Sequence, residues 1–245
     1  MEELRIHKYL ADCGVMSRRA AEEAVKRGEV KVNGVTATLG QKISAEADTV
    51  EYKGRKVVPN GKRHVYYILN KPVGYVTTMR DEKGRPCISD LISEIETRIY
   101  PVGRLDYDSE GLILLTNDGE LTTRLTHPKH GIAKYYNVTV KGQVTMQQRK
   151  QLASEMDIDG YKIMPVKNEI ISMHEDKTVL GMELFEGRNR QIRKMCEQVG
   201  LEVIKLKRIA IGAIELGNLK PGCIKKLNGA QIEYLKAACG MGKGK

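Results

Sequence analysis

The strongest constraint on the fold is a polar segment that runs directly into a strand signal. Residues 103–112 hold three acids, one arginine and two glycines, and Ile-Leu-Leu-Thr follows at 113–116. Buried acids need solvent, a cation or a hydrogen-bond donor, and the glycines bring flexible backbone to both ends. A carboxylate beside an arginine, in a loop held on a rigid strand, is a common catalytic arrangement. These residues are therefore the first candidates for a functional site.

Two plainer interpretations of this segment can be weighed from the sequence alone. Acids in a glycine-bounded loop are often solvated turn residues. A calcium loop would use Asp106, Asp108 and Glu110 at its positions one, three and five. Its twelfth position must then be a bidentate glutamate, but the chain has Asn117 there. The calcium interpretation fails, and the turn interpretation stays open.

The composition indicates a polyanionic partner. The chain has 245 residues, which suits one large or two small domains, and its formal net charge is +10. No apolar run reaches the roughly 18 residues of a membrane span, so we expect nucleic acid rather than a membrane. The five cysteines are widely spaced and form no Cys-x-x-Cys pair, which argues against disulfides or a zinc site. We therefore expect no metal and a cytoplasmic location.

The chain divides into a small and a large segment. Residues 1–60 predict two short helices, the second over 18–27 with Ser17 as N-cap, and then small strands around an Asn-Gly hairpin signal. Residues 59–63 are polar and basic, as in a linker, and the tail at 240–245 is expected to be disordered. The larger segment, residues 61–245, has strands predicted at 65–69, 74–78, 113–116, 136–140 and 179–185.

The order of these elements predicts an α+β fold. Several predicted strands adjoin through short turns, which favours a mixed, mainly antiparallel sheet flanked by helices over a doubly wound sheet. The smaller segment adds an α-α-β module at the N-terminal end. No phosphate-binding P-loop and no dinucleotide fingerprint is present in the sequence.

Basic residues at two predicted helix starts point to phosphate binding. Arg18 and Arg19 oppose the helix dipole, a placement that a bound phosphate would make favourable. A solvated basic face is the alternative interpretation. Arg188 and Asn189 are predicted to begin a second such helix.

The basic face of this later helix also suggests an internal ion pair. An i,i+4 pair between Arg193 and Glu197 would explain only two of its charges. We therefore expect a cationic groove in which this helix pairs with an acid of the 103–112 loop, because a nearby arginine keeps a carboxylate ionised.

A pair of tyrosines opens one predicted strand. Consecutive strand residues face opposite sides of a sheet, so only one of Tyr135 and Tyr136 can point into the core. Tyrosines in strands usually pack, and the second ring can stack on a base.

Three motifs mark the smaller segment. They are Arg-Ile-His-Lys-Tyr-Leu at 5–10, Gly-Val-Met-Ser-Arg-Arg-Ala-Ala at 14–21 and Gly-Glu-Val-Lys-Val-Asn-Gly at 28–34. Residues 4–45 resemble the small RNA-binding module named after ribosomal protein S-four. The resemblance implies that the Ser-Arg-Arg helix and the following hairpin grip structured RNA. The residues expected to bind RNA are Lys8, Arg18, Arg19 and Lys31.

Further motifs follow in order along the larger segment. They are Asn-Lys-Pro-Val-Gly at 70–74, Pro-Val-Gly-Arg-Leu-Asp at 101–106, Leu-Thr-Asn-Asp-Gly at 115–119, Lys-Tyr-Tyr-Asn-Val at 134–138, Glu-Gly-Arg-Asn-Arg-Gln-Ile-Arg-Lys-Met at 186–195 and Leu-Lys-Arg-Ile-Ala-Ile-Gly at 206–212. These motifs resemble the RsuA-type (RsuA/RluB-like) pseudouridine synthases, which isomerise uridine within ribosomal RNA. The resemblance implies an enzyme that flips its target base and needs no cofactor. The sequence does not reveal the oligomeric state, and a monomer is the default expectation.

The resemblance also assigns the site residues. It makes Asp106 the catalytic aspartate, Arg193 its ion-pair partner and Tyr136 the residue that stacks on the flipped uracil. The family often has Thr or Arg where this chain has Tyr135, so the choice of tyrosine stays open, with the register favouring Tyr136. Leu105 and Ile209 are expected to line the base pocket. RNA contacts are expected from Arg104, Arg188, Asn189, Arg190 and Arg208.

The substrate and the function class have alternatives. The closing motif at 216–222 looks more like large-subunit members, so we expect large-subunit rather than small-subunit ribosomal RNA, free or in a pre-ribosomal particle. A ribosome-assembly factor that only binds RNA is one alternative class. A nuclease that holds a metal with Asp106, Asp108 and Glu110 is another.

Overall fold

The structure is a computed structural model that describes residues 3–59 and 64–241. It divides into two compact units, Met1–His64 and Val65–Lys245. Three sequence predictions fall wholly or partly outside the described residues. They are the boundary at residue 60, the linker at its residues 60–63 and the tail at its residues 242–245. Met241, within the predicted tail, donates its backbone N–H to the Lys236 carbonyl at 2.8 Å and packs against the core.

The N-terminal unit packs two helices with short antiparallel strands. Its elements are β1 (Glu3–Arg5), α1 (Ile6–Asp12), α2 (Arg18–Lys26), β2 (Val30–Val32), β3 (Val35–Thr36), β4 (Lys42–Ser44), β5 (Val50–Tyr52) and β6 (Arg55–Val57). Strand β1 pairs with β4, and a second sheet has the order β3-β2-β5-β6. As predicted, Ser17 caps α2 by accepting a hydrogen bond from the Ala20 N–H at 3.1 Å. The described core of this unit is mainly aliphatic and includes Ile6, Leu10, Val30 and Val50, together with the ring of Tyr9.

The C-terminal unit contains the larger sheet and four helices among its described residues. The elements are β7 (Tyr66–Lys71), β8 (Tyr100–Val102), β9 (Glu110–Thr116), α3 (Gly119–Thr126), β10 (Lys134–Lys141), α4 (Met146–Leu152), β11 (Met156–Ile158), β12 (Tyr161–Ile163), β13 (Lys167–Met173), β14 (Lys177–Leu184), α5 (Gln191–Gln198), β15 (Val203–Ile211), β16 (Ile214–Glu215), β17 (Ile224–Lys226) and α6 (Gly229–Ala238). Short 3-10 helices span Ile88–Leu91 and Pro128–His130.

The sheet is mixed and mainly antiparallel, which confirms the predicted α+β class. Within residues 64–241 its main path has the order β13-β14-β10-β15-β9-β7-β17, with β8 beside β9 and β16 beside β15. The pair β9 and β15 is parallel, whereas the other described pairs are antiparallel. Strands β11 and β12 form a separate two-stranded hairpin.

The central strand β9 is buried on both faces, which explains its continuous apolar sequence. Ile113 and Leu115 belong to one core cluster, which α4 and α5 help to cover. Leu112 and Leu114 belong to a second cluster on the opposite face, with side chains from α3 and α6. The acid-rich segment therefore leads into the most enclosed strand of the sheet, and its end is anchored on both sides.

Two predicted elements differ from the structure. The strand predicted at 74–78 is reduced to one bridge between Val76 and Cys87, because this stretch turns back over the loop that follows β8. The helix predicted to begin at Arg188 and Asn189 begins at Gln191, since Arg190 adopts a left-handed conformation with φ 51°. Among the described residues, none of the helices has the length and apolar character that a membrane span requires.

Candidate active site

A cavity of about 440 Å³ opens between the acid-rich loop, the start of β10 and the turn before α5. Most of the predicted site residues meet there. The predicted residues that line it are Arg104, Leu105, Asp106, Tyr136, Arg188, Asn189, Arg190 and Arg208. Arg193 and Ile209 are not part of its lining.

The backbone around Asp106 is fixed by hydrogen bonds on both sides. The Thr77 hydroxyl donates to the Leu105 carbonyl at 2.6 Å and accepts from the Leu105 N–H at 3.2 Å. On the other side, the Gly74 N–H donates to the Tyr107 carbonyl at 2.9 Å. The Ser109 N–H closes a turn onto the Asp106 carbonyl at 3.1 Å. The loop therefore presents Asp106 at a defined position in the cavity wall.

The three carboxylates of this loop have different surroundings. Asp108 pairs with Arg190 at 3.1 Å, and Glu110 pairs with Lys205 at 3.1 Å. The Asp106 side chain is half-buried in the cavity lining and forms no hydrogen bond or ion pair with the residues that the structure describes. In the described ranges, no group of three or more His, Cys, Asp or Glu is arranged to hold a metal ion.

The predicted ion pair between Arg193 and Asp106 is wrong. Arg193 instead places its Nε 3.2 Å from Asp108 Oδ2 and donates from Nη2 to the Asp108 carbonyl at 2.9 Å. Its Nη1 donates to the Val203 carbonyl at 3.2 Å. The physical reason is that Arg193 lies behind the loop, where it contacts the turn after Asp106 and the start of β15. Arg193 thus ties the loop to α5 and β15 and is absent from the cavity lining.

A buried lysine lies under the loop, and the sequence interpretation missed its role. Lys71 has no exposed surface, and its Nζ donates to the carbonyls of Ser109 at 2.7 Å and Pro72 at 3.0 Å. Burial lowers the pKa of Lys71 from 10.5 to about 8, although Asp106 and its acidic neighbours oppose the shift. The sequence signal that could have identified Lys71 is its position in the Asn-Lys-Pro-Val-Gly motif at 70–74.

The two tyrosines of β10 face opposite sides of the sheet. Tyr136 lines the cavity and is 8% exposed, whereas Tyr135 lies outside the cavity lining. The Tyr135 hydroxyl donates to Glu183 at 3.3 Å. Of the two rings, only that of Tyr136 shares the cavity with Asp106.

The sequence led us to expect that Arg208 contacts RNA, but the structure buries this residue. It is 3% exposed, and its Nε donates to the Leu112 carbonyl at 2.7 Å. Its Nη1 donates to the Tyr136 hydroxyl at 3.5 Å, and Nη2 is buried without a hydrogen-bond partner among the described residues. Arg208 therefore forms part of the cavity wall and supports Tyr136, because β15 carries it inward.

Close approach of two strands positions Arg208. Gly111 of β9 pairs in parallel with Arg208 of β15, and its φ is 109°. A Cβ atom at Gly111 would lie 2.2 Å from the Arg208 carbonyl oxygen, so a larger residue would push the strands apart.

Ile209 also departs from the prediction that it lines the base pocket. Tyr136 pairs with Arg208 and Tyr135 pairs with Ala210, so Ile209 is the extra residue of a β-bulge. It lies in a different surface depression, with Tyr135 and Leu216. Leu206 and Ile211 line the main cavity from this strand instead.

Basic residues form the rim of the cavity. Arg188 and Arg190 are part of its lining, and their side chains are 41% and 44% exposed. Lys134, which the sequence interpretation did not assign, also lines the cavity and donates from Nζ to the Ile132 carbonyl at 3.2 Å. Burial, with a smaller contribution from Arg208, lowers the pKa of Lys134 below its usual value.

Three of the four predicted RNA-binding residues of the N-terminal unit are exposed to solvent. Arg18, Arg19 and Lys31 are exposed, and Lys8 is half-buried. Arg18 and Arg19 form no ion pair with any described residue, although acids are abundant in this unit. Their guanidinium groups at the start of α2 are free to meet an anion.

Comparison with known proteins identifies the families that this chain is similar to. The family model for RNA pseudouridylate synthase matches residues 65–198, and the S4 domain model matches residues 4–50. An uncharacterized RNA pseudouridine synthase of Aquifex aeolicus is 42% identical, over 98% of this chain and 97% of the relative. Ribosomal large subunit pseudouridine synthase B of Bacillus subtilis is 41% identical, over 98% of each chain.

A solved structure shows the same architecture. The crystal structure of a pseudouridylate synthase matches with a TM-score of 0.69 and 29% identity, over 95% of this chain and 99% of that one. The family model covers more than half of the chain, and the relatives match along nearly all of it. The chain therefore belongs to the RNA pseudouridine synthases, isomerases that convert uridine to pseudouridine in RNA, and carries an S4 domain at its N-terminal end.

Proposed function

We propose that this chain converts a uridine of large-subunit ribosomal RNA to pseudouridine, with Asp106 as the reacting carboxylate. The observation that carries the proposal is the difference among the three acids of one loop. Asp108 and Glu110 are neutralised by cations, whereas Asp106 faces the cavity with no ion pair to a described residue. A carboxylate in that state keeps its oxygen atoms available to a substrate.

The reaction itself sets what the site must do. The bond between uracil N1 and ribose C1′ breaks, the ring turns, and a bond from C5 to C1′ forms while the proton on C5 is lost and N1 is protonated. Atoms and oxidation state are unchanged, so we propose that no metal, nucleotide or redox cofactor takes part. Asp106 attacks C1′ or stabilises the sugar while it is separated from the base.

Tyr136 holds the uracil in this scheme. Its ring lies in the wall that also contains Asp106, and Arg208 holds its hydroxyl. Flipping a base out of an RNA stack costs a few kcal/mol, which stacking on Tyr136 and apolar contact with Leu105 offset. The Tyr136 hydroxyl is also the candidate group for removing the C5 proton.

Basic residues supply the remaining affinity. Arg104, Arg188, Asn189 and Arg190 at the cavity contact the RNA backbone around the target. Lys8, Arg18, Arg19 and Lys31 of the S4 domain bind a separate stretch of structured RNA. Because phosphate contacts release counterions, we expect affinity to fall steeply with salt concentration.

The choice of large-subunit RNA rests on the relatives. The Bacillus subtilis relative is a ribosomal large subunit synthase, and its similarity extends along 98% of both chains. The closing motif at 216–222 supports the same assignment. We further propose that the enzyme acts as a monomer in the cytoplasm, on free ribosomal RNA or on a pre-ribosomal particle.

Pseudouridine mapping on unmodified ribosomal RNA tests this proposal. Transcripts of the large- and small-subunit RNA are incubated with the protein in the presence of a chelator. The proposal predicts one new pseudouridine, in the large-subunit transcript alone. Modification of the small-subunit transcript would overturn the substrate assignment.

The same assay separates the other function classes. A parallel incubation replaces the chelator with magnesium, and strand cleavage in that sample alone would support a nuclease. If neither transcript is modified, precursor subunits are tested next. If the protein binds these particles but does not modify their RNA, the result would contradict the proposed reaction. It would favour an assembly factor that only binds RNA.

A further inference from the structure

The hairpin of β11 and β12 carries an exposed aromatic ring beside the cavity rim. Tyr161 is 56% exposed, and the Arg188 guanidinium carbon lies 4.1 Å from the centre of its ring. This distance is typical of a cation–π contact. Arg188 lines the cavity, so the Tyr161 ring lies one side chain away from the cavity lining.

The hairpin is held firmly to the helix beside the cavity. Asp159 and Gly160 form its tight turn with φ values of 54° and 78°, and the Gly160 N–H donates to Asp157 Oδ1 at 2.8 Å. Lys194 of α5 forms an ion pair with Asp159, and Gln198 Nε2 donates to the Asp157 carbonyl at 2.7 Å. The hairpin that carries Tyr161 is therefore fixed relative to α5.

Arg188 is held in place from its other side. Its Nε lies 3.6 Å from Glu186 Oε2, while Glu186 Oε1 accepts hydrogen bonds from the Met164 N–H at 3.1 Å and Gln191 Nε2 at 3.3 Å. Met164 itself is 58% exposed. The Tyr161 ring and the Arg188 guanidinium thus form one surface, which we call the hairpin platform (Tyr161 and Arg188).

We propose that the hairpin platform stacks an unpaired RNA base that neighbours the target uridine. A single exposed tyrosine is ordinary on a protein surface. Here the ring is stacked with an arginine at the rim of the reaction cavity, and proteins bind unpaired bases with such aromatic and guanidinium planes.

Base flipping supplies the need for such a platform. When the target leaves the stack, the neighbouring bases lose a stacking partner, and an aromatic surface at the rim compensates for that loss. Arg188 and Arg190 match the negative charge of the adjoining phosphates. The inference rests on the proposed function, since it requires RNA in the cavity.

A tryptophan probe tests the contact directly. The chain has no tryptophan, so Tyr161→Trp introduces a single fluorophore. We expect its fluorescence to fall at least twofold when the protein is saturated with unmodified large-subunit ribosomal RNA. The matched control is Met173→Trp, because Met173 is similarly exposed (48%). Met173 pairs with Thr178, near the end of β14 opposite to Leu184, which lines the cavity. Its fluorescence should change little.

The outcomes separate this inference from the proposed function. Filter binding on the same samples shows whether RNA is bound. Bound RNA without quenching of the Tyr161→Trp variant, or with equal quenching of both variants, overturns the platform and leaves the proposed function standing. Absence of both RNA binding and pseudouridine formation overturns the proposed function and the platform together.

Kinetics give a second, independent test. We expect Tyr161→Ala to raise the KM for RNA about 10-fold with kcat little changed, because one base–aromatic stack is lost. Tyr161→Phe keeps the ring and should stay within about twofold of wild type. A purely structural tyrosine would instead lower Tm in the alanine variant and leave its KM unchanged, a result that contradicts the platform.

Discussion

Arg193 pairs with Asp108, two residues beyond the carboxylate that faces the cavity. Three contacts fix this arginine, which is 13% exposed: the Asp108 carboxylate, the Asp108 carbonyl and the Val203 carbonyl. The acid-rich loop is thus fastened to α5 and β15 from behind. Asp106 is left accessible in front, so Arg193 is a positioning residue in this account.

Loss of Arg193 should loosen the loop. Arg193→Met removes charge-assisted hydrogen bonds that are mostly buried, so we expect the free energy of unfolding to fall by about 2 kcal/mol. The rate of pseudouridine formation should fall about 10-fold with RNA affinity little changed. Urea unfolding and single-turnover assays measure the two effects.

Arg190→Met is the matched control for this prediction. Arg190 pairs with the same Asp108, but its side chain is 44% exposed, so we expect less than about 1 kcal/mol from its loss. Equal losses of stability in the two variants would contradict the anchoring role of Arg193.

Gly111 should tolerate no side chain. Gly111→Ala places a methyl group 2.2 Å from the Arg208 carbonyl, so we expect a loss of about 3 kcal/mol or more in the free energy of unfolding. Gly142→Ala is the control, because Gly142 also has positive φ (70°) but has nothing within 4 Å of the added atom. That variant should lose about 1 kcal/mol, from backbone strain alone. Similar losses in both would show that the strand contact is unimportant.

The two tyrosines of β10 should differ in function. Tyr136→Phe keeps the stacking ring but removes the hydroxyl that Arg208 contacts, so we expect about a 100-fold lower single-turnover rate with RNA affinity unchanged. Tyr135→Phe should behave as wild type, since its hydroxyl contacts Glu183 outside the cavity. A slow Tyr135→Phe beside an active Tyr136→Phe would reverse the assignment.

The sequence predicted the elements whose signals are local. The strand at 113–116, the N-cap at Ser17 and the Asn33-Gly34 hairpin follow from apolar runs and turn chemistry, and the structure has all three. The opposite orientation of Tyr135 and Tyr136 follows from the two-residue period of a strand. For such features, neighbouring residues along the chain carry the information.

The partners of charged residues could not be predicted in the same way. Arg193 selects Asp108 over Asp106 because of where α5 crosses the loop, and no sequence spacing encodes that crossing. Ile209 leaves the cavity because a bulge in β15 shifts the register. Lys71 is buried by segments that are distant in sequence, so its role became visible only in three dimensions.

Lys71 should make stability depend on pH in the mildly alkaline range. Its pKa is about 8 in the folded protein and near 10.5 when unfolded, so between these values the unfolded chain binds more protons. The free energy of unfolding attributable to Lys71 therefore rises with pH across this window and is constant below it. Urea titrations at several pH values give the free energy of unfolding of wild type and of Lys71→Met. The difference between these two free energies measures the contribution of Lys71. A difference that stays flat between pH 7 and pH 10 would contradict the lowered pKa.

The most direct test of the account compares two isosteric variants of one loop. Single-turnover pseudouridine formation is measured for Asp106→Asn and Asp108→Asn on the RNA that wild type modifies, with RNA affinity and Tm as controls. We expect no detectable product from Asp106→Asn at wild-type affinity and Tm, because the reacting carboxylate is gone. Asp108→Asn should lose stability yet keep measurable activity, because it only anchors the loop. Product from Asp106→Asn at a rate near that of wild type would contradict the central claim.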